Sequence, residues 1–280
     1  MESAVKPIID YSGKTVVIIG AATGVGAELV TLLRGAGPER IIAVDIKACH
    51  GPVDDTIITD LADPSAIDAM ILRLPAIVDT LFYNAGVAAT LPPEVVMAVN
   101  VLAPRKLITI ASDRMPPGGA VVITASTAGN RYVDHLAEIQ ELLAISDWHD
   151  ALSWVRDRPA IADDPYGFSK ECAQVLALQW APMLLGSGIR LNSVCPGLID
   201  TPLLSDFAAT MGQPILDWMV SQSGGRRAAP AEVANVLAFI GSDAASYIGG
   251  SNIIADHGFT AAVLTNQIDY STLPAVPGPT

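Results

Sequence analysis

Short runs of apolar and β-branched residues alternate along the chain with segments whose apolar positions recur at helical spacing. Val16–Ile19, Ile41–Asp45, Thr56–Thr59, Thr80–Tyr83, Ala120–Thr124, Arg190–Val194 and Asn252–Ala255 read as strands. Segments near 25–35, 64–73, 94–113, 165–185 and 230–241 read as helices. The strand runs are apolar throughout rather than alternating, as expected for strands covered on both faces. Repeated βα units predict an α/β fold with a doubly wound, mostly parallel seven-stranded sheet and helices on both faces. Two stretches interrupt this rhythm. In 129–163, Leu136, Ile139, Leu142, Leu143, Leu152 and Val155 recur at helical spacing and predict one or two amphipathic helices. In 202–227, Phe207, Met211, Ile215, Leu216, Trp218 and Met219 form an apolar stretch ending at Gly224-Gly225, and the tail from about Leu273, with Pro274, Pro277 and Pro279, reads as loose.

Composition supports a large core: 51% of residues are hydrophobic and 16% charged. A net charge of -13 argues against nucleic acid, because no basic stripe is available to neutralise phosphates. It leaves room for a dinucleotide, which backbone N–H groups can hold. Cys49, Cys172 and Cys195 are widely spaced and odd in number, so they form no disulfide or zinc pattern and read as free thiols in a reducing compartment. His50, His135, His149 and His257 show no metal spacing, and no metal is expected. The longest uncharged stretch, 172–189, contains Gln174, Gln179, Pro182 and Gly186 and reads as a buried helix rather than a membrane span. With no long apolar run at the N-terminus, the expected location is the cytoplasm.

Candidate chemistry collects where strands end. Gly20-Ala21-Ala22-Thr23-Gly24-Val25-Gly26 follows the first strand with the spacing G-x-x-x-G-x-G. Gly20 allows a turn, Gly24 lets backbone approach a pyrophosphate, and Gly26 lets the helix pack close; the plain alternative is a glycine-rich turn. Asp45 ends the second strand, where a carboxylate can bind both ribose hydroxyls and repel a 2′-phosphate, favouring NAD over NADP; Lys47 softens that preference. Asp60-Leu61 can flank an adenine, or Asp60 can cap a helix. Asn84-Ala85-Gly86 can run along a cofactor or simply form a turn. Tyr166 and Lys170, four apart on one helix face, form a pair in which an ammonium can pull a phenol's pKa down toward neutrality for acid/base work.

Taken in order, Gly20/Gly24/Gly26, Asp60-Leu61, Asn84-Ala85-Gly86, Asn100, Ser126, Tyr166/Lys170 and Pro196-Gly197 followed by Thr201 resemble the short-chain dehydrogenase/reductase family from Lys14 to about Phe259. The resemblance implies a Rossmann fold in one dinucleotide-binding catalytic domain over 1–280, with a helical insertion before the catalytic helix. It implies Tyr166 as general acid/base, Lys170 lowering its pKa and holding the nicotinamide ribose, and Ser126 steadying the reacting oxygen. Asn100 would hold a water that links Lys170 to solvent; the bland alternative is a satisfied buried amide. Pro196-Gly197 would wall the nicotinamide, with Ile199 and Thr201 near its carboxamide; Thr23 and Val25 would join the cofactor loop. The sequence departs from the family pattern at Ile19, at Asp256-His257-Gly258, and in the forty positions that separate Ser126 from Tyr166.

The insertion, Pro202-Leu203-Leu204 and Gly225-Arg226-Arg227 are similar to a branch of the family that holds bacterial 3α-hydroxysteroid dehydrogenase/carbonyl reductases, with coniferyl-alcohol dehydrogenases closely related. That likeness implies a secondary or allylic alcohol on a lipophilic ring, exchanged with its ketone or aldehyde, and a homodimer or homotetramer. The apolar 202–219 stretch suits such a ligand as a lid, or packs on its own core. A different reading is a protein that senses NAD without turnover. The 129–163 insertion is expected to cover the outer face of the catalytic helix, and Trp148 and Trp154 to pack rather than form a ligand cage.

Overall fold

The computed structural model describes residues 8–274. The sheet contains β1 (Thr15–Ile19), β2 (Arg40–Asp45), β3 (Asp55–Ile58), β4 (Thr80–Tyr83), β5 (Ala120–Thr124), β6 (Arg190–Pro196) and β7 (Asn252–Ala255). All pairings are parallel, and the strands lie in the order β3-β2-β1-β4-β5-β6-β7. The order reverses between β1 and β4, which opens a crevice at the strands' carboxyl ends.

Successive side chains of one strand point to opposite faces and fill separate cores. Val17, Ile19, Ile42 and Val44 join the core that includes the catalytic-side helices; Val16, Ile18, Ile41 and Ala43 join the other. The second core is closed by α1 (Gly24–Gly35) and α12 (Pro230–Gly241), which pack on each other. The first is closed by α2 (Pro64–Arg73), α3 (Pro93–Met97), α4 (Ala103–Leu107), α5 (Thr109–Arg114) and the long α9 (Pro165–Leu185). Asp63 caps α2 by accepting from the Ser65 N–H at 2.8 Å, with Pro64 in the first turn.

The helix expected over 94–113 is broken. A π-turn, Ala98–Leu102, separates α3 from α4. Pro104 supplies no N–H, so the Asn100 carbonyl lacks the i+4 donor of a regular helix. This run, 93–114, is long and apolar enough to cross a membrane, yet 78% of its apolar window is buried inside the protein.

The insertion contains three short helices where one or two were expected: α6 (Leu136–Ala144), α7 (Trp148–Arg156) and α8 (Pro159–Asp163). Asp147 caps α7 and Pro159 opens α8, so each break has a local cause. Trp154 stacks on Phe168 of α9 with ring centroids 6.4 Å apart, and the Arg158 guanidinium lies 3.7 Å from the Trp154 ring centroid. His135 Nδ1 meets Glu171 Oε2 at 2.6 Å, joining the insertion to α9 at a nearly buried carboxylate. Arg105 of α4 donates to the Leu142 and Ile145 carbonyls at the end of α6. The insertion thus lies over α9, α3 and α4, and both tryptophans pack.

The 202–227 stretch forms α10 (Leu204–Met211) and α11 (Gln213–Gln222), joined at Gly212 with φ +85°. The chain continues into α13 (Phe259–Leu264) and a short 3₁₀ turn at Tyr270–Thr272. Most of the tail that the sequence reads as loose, with Pro277 and Pro279, lies outside the described residues.

Candidate active site

A cleft of about 910 Å³ occupies the crevice at the sheet's carboxyl edge. It lies within the size range of ligand sites. Gly20, Thr23, Gly24, Val25, Asp45, Asp60, Leu61, Asn84, Ala85, Gly86, Ser126, Tyr166, Lys170, Pro196, Gly197, Ile199 and Thr201 all line it. Gly26 and Asn100 pack behind its wall and are not among its lining residues.

At the β1 end, Gly20 turns the chain with φ +82°. A Cβ there would strike the Ala85 backbone, and a Cβ at Gly26 would strike the Gly20 carbonyl. Thr23 occupies the N-cap position of α1 without a side-chain cap, and the first turn holds no acidic residue. The orphan N–H groups of that turn are the donor set a diphosphate needs. Asp45 accepts from the Ala22 N–H at 2.9 Å and the Lys47 N–H at 3.0 Å, which fixes a carboxylate beside this loop. These features fit a dinucleotide.

Two neighbouring motifs carry structural bonds as well. Asp60 Oδ1 accepts from the Ala62 N–H at 2.9 Å, so it closes a turn, while the helix cap falls to Asp63. Asn84 Nδ2 donates to the Gly20 carbonyl at 3.1 Å, and Asn84 Oδ1 accepts from Thr124 Oγ1 at 3.0 Å. One side chain therefore ties the ends of three strands together.

At the other end, α9 presents Tyr166 and Lys170 one turn apart. Asp164 caps this helix by accepting from the Gly167 N–H at 2.9 Å, with Pro165 in the first turn. Ser126 and Tyr166 line the same end of the cleft, where the Ser126 hydroxyl acts on the phenol. Lys170 Nζ donates to the Thr124 carbonyl at 3.1 Å and lies 5.7 Å from the Tyr166 ring centroid. The expected fall of the phenol pKa toward neutrality is not what this geometry gives. Burial pushes Tyr166 up to about 12, Ser126 works against that rise, and the Asp164 carboxylate adds to it. Burial also lowers Lys170 to about 8, with the Cys195 thiol opposing the shift. The reason is desolvation: both groups sit where an ion loses more hydration than its partner returns.

Asn100 uses its whole side-chain amide locally. Oδ1 accepts from the Val87 N–H at 2.9 Å, while Nδ2 donates to the Val87 carbonyl at 3.0 Å and to Ser169 Oγ at 2.9 Å. The side chain clamps the Gly86-Val87 loop to α9.

The lid divides its apolar residues. Leu203, Phe207, Met211, Ile215 and Met219 line the cleft, and Phe207 meets Tyr166 edge-on at 4.9 Å. Leu216 is fully buried, and Trp218 turns to the C-terminal segment, where it meets Phe259 and Tyr270 and donates to Thr272 Oγ1 at 2.8 Å.

Sequence reasoning missed three residues here. Asp164 was legible as Asp-Pro-x-Gly at a helix start. Gln174 lies two turns beyond Tyr166 on the same face and donates to the Ser126 carbonyl at 2.9 Å. Phe259 lines the cleft from the start of α13 and carried no signal. His257 holds a left-handed backbone (φ +55°) and bonds the Ser223 carbonyl at 2.8 Å. No cluster of metal-ligating side chains occurs among the described residues.

A dinucleotide crevice with a Ser-Tyr-Lys constellation at one end defines a nicotinamide oxidoreductase, and the chain belongs to the short-chain dehydrogenase/reductase family. Residues 153–260 match the family model described as enoyl-(acyl carrier protein) reductase. The chain is 30% identical over 260 residues to the coniferyl-alcohol dehydrogenase of Pseudomonas sp. (strain HR199 / DSM 7063), covering 90% of this chain and 99% of that one. It is 30% identical over 272 residues to the 3-alpha-hydroxysteroid dehydrogenase/carbonyl reductase of Comamonas testosteroni, covering 90% and 98%. Among solved structures it resembles the 3-alpha-hydroxysteroid dehydrogenase of Pseudomonas sp. B-0831 complexed with NADH, at a TM-score of 0.73 and 28% identity, covering 91% of this chain and all of that one.

Proposed function

We propose that the protein is an NAD-dependent alcohol dehydrogenase that interconverts a secondary or allylic alcohol and its ketone or aldehyde on a lipophilic ring. A hydroxysteroid-like substrate is the first candidate and an aryl allylic alcohol of the coniferyl type the second; the edge-on Phe207 beside Tyr166 favours the planar second ring. The observation that carries the reading is one cleft that gathers Ser126, Tyr166 and Lys170, with Lys170 Nζ 5.7 Å from the Tyr166 ring centroid, and that Asp45 borders. The relatives' own substrates and the NADH of the solved neighbour support it.

Asp45 and the open start of α1 would hold NAD, which when bound would supply the hydride acceptor or donor. Tyr166 Oη takes the alcohol proton in oxidation and returns it in reduction. Ser126 donates to the developing oxyanion and lowers the phenol. Lys170 adds positive charge in the same sense while it is protonated, below about pH 8. The Asn100 carbonyl is the route by which a water refills the proton.

The catalytic end suits an uncharged ring. Its charged lining residues are Asp163, Asp164 and Lys170, so a substrate carboxylate has no cation apart from the one committed to the reacting centre. The site is proposed to act in the cytoplasm as a homodimer or homotetramer, with 1–280 as one catalytic domain.

The test is purified protein with NAD+ and a panel of steroid and cinnamyl alcohols, read by NADH absorbance. Tyr166→Phe is expected to lose about 10³-fold or more in kcat/KM while its NADH affinity stays within about threefold. NAD binding without turnover of any alcohol would make the protein a sensor instead.

A further inference from the structure

Gln174 sits on the catalytic helix at 1% exposure and is bonded to three polar residues, Ser126, Asn130 and Asn252. A buried amide is costly unless each of its valences is met. Here they are met. Nε2 donates to the Ser126 carbonyl at 2.9 Å and to Asn130 Oδ1 at 3.2 Å, and Oε1 accepts from Asn252 Nδ2 at 3.2 Å. The bonds continue outward. Asn130 Nδ2 donates to Thr260 Oγ1 at 2.9 Å, and the Thr260 N–H donates to Asp256 Oδ2 at 2.6 Å. On the sheet side, Asn252 Oδ1 accepts from Ser193 Oγ at 2.6 Å.

This network starts at the main-chain carbonyl of Ser126 and ends beside Phe259, the residue through which the C-terminal segment enters the cleft. The Ser126 carbonyl also accepts from the Gly129 N–H at 3.1 Å, a bond within its own short turn, so Gln174 is the tie that reaches it from another element. Ser126 stands after β5 in an extended conformation, and its hydroxyl accepts from the Ala128 N–H at 3.1 Å. Rotation of its peptide would swing the hydroxyl away from Tyr166. The Gln174 bond to its carbonyl resists that rotation from a rigid helix, the same helix that carries Tyr166 and Lys170.

We infer that Gln174 is a positioning residue for the reaction: it holds the Ser126 peptide so that the serine hydroxyl meets the tyrosine hydroxyl, and through Asn130 it couples that alignment to the Phe259–Thr260 wall of the substrate cleft. The inference rests on the reading of Ser126 and Tyr166 as the reacting pair. Catalytic hydroxyls placed by a supporting shell lose rate when that shell is removed, even with every catalytic residue present.

Gln174→Met keeps the side-chain length and removes both amide functions. It is expected to lower kcat by about tenfold or more, to leave the alcohol KM within about threefold, and to move the rise of alcohol oxidation with pH to higher pH. In a Ser126→Ala background the same substitution is expected to have no further effect on kcat, because its path runs through Ser126. A Gln174→Met protein with native melting temperature and unchanged kcat overturns the inference, as do losses that simply multiply in the double variant. A crystal structure of Gln174→Met reads the idea without turnover. Ser126 Oγ out of reach of Tyr166 Oη supports it even if no alcohol proves to be a substrate; an unmoved Ser126 sinks it. Should Gln174→Met fail to fold, Asn130→Ala, further along the network, is expected to give a smaller loss with the same pH signature, and its absence counts against the coupling.

Discussion

The two ends of the cleft are built by different means. The adenosine end rests on strand termini and backbone: Gly20 against Ala85, Asp45 bonded to Ala22, and Asn84 bridging Gly20 and Thr124. The substrate end rests on side chains delivered by elements added around the sheet: Asp163 of α8, the lid, and Phe259 of α13. Backbone-built sites tolerate little change, whereas loop-built walls can be rewritten without disturbing the sheet. The dinucleotide crevice is thus fixed by the sheet, while the walls around the reacting groups come from elements added to it.

The largest expected effect that would sharpen this contrast concerns charge at the substrate end. An alcohol bearing a carboxylate and its methyl ester, on the same ring, should differ by about 100-fold in kcat/KM in favour of the ester, since a buried carboxylate there finds no partner. Equal values would break the assignment of an uncharged substrate. At the adenosine end, Asp45→Asn should weaken NADH binding by about tenfold, measured by fluorescence titration, and narrow its margin over NADPH. The lid gives a smaller effect: Phe207→Ala should change the alcohol KM about threefold to tenfold and leave NADH affinity untouched. Smallest is a pH effect. Asp164 raises the Tyr166 phenol, and asparagine keeps the helix cap, so Asp164→Asn favours the phenolate. The rise of kcat/KM for oxidation with pH should move down by a few tenths of a pH unit; a shift upward would contradict the charge placement.

The contrast also explains what could be read from the chain. Strands such as Val16–Ile19 and Thr80–Tyr83 were legible because they are buried on both faces and so are apolar without interruption. Tyr166, Lys170 and the glycine loop were legible because their chemistry depends on local spacing. The break in the 94–113 helix was not, since it depends on Pro104 together with an Asn100 amide drawn across to Val87. The three-way split of the insertion depends on caps that only packing makes decisive. The phenol pKa was misread because sequence shows that Lys170 is near but not that both groups are desolvated. Gln174 was passed over as one polar position in an apolar helix, its partners lying as many as 78 positions away.

Trp218 gives the lid a stop that comes from the far end of the chain. Its indole rests on Tyr270 and donates to Thr272, so helix α11 leans on a short segment well removed from the reacting groups. A change at Tyr270 or Thr272 therefore reaches α11, and with it Ile215 and Met219 on the cleft wall, without touching Tyr166.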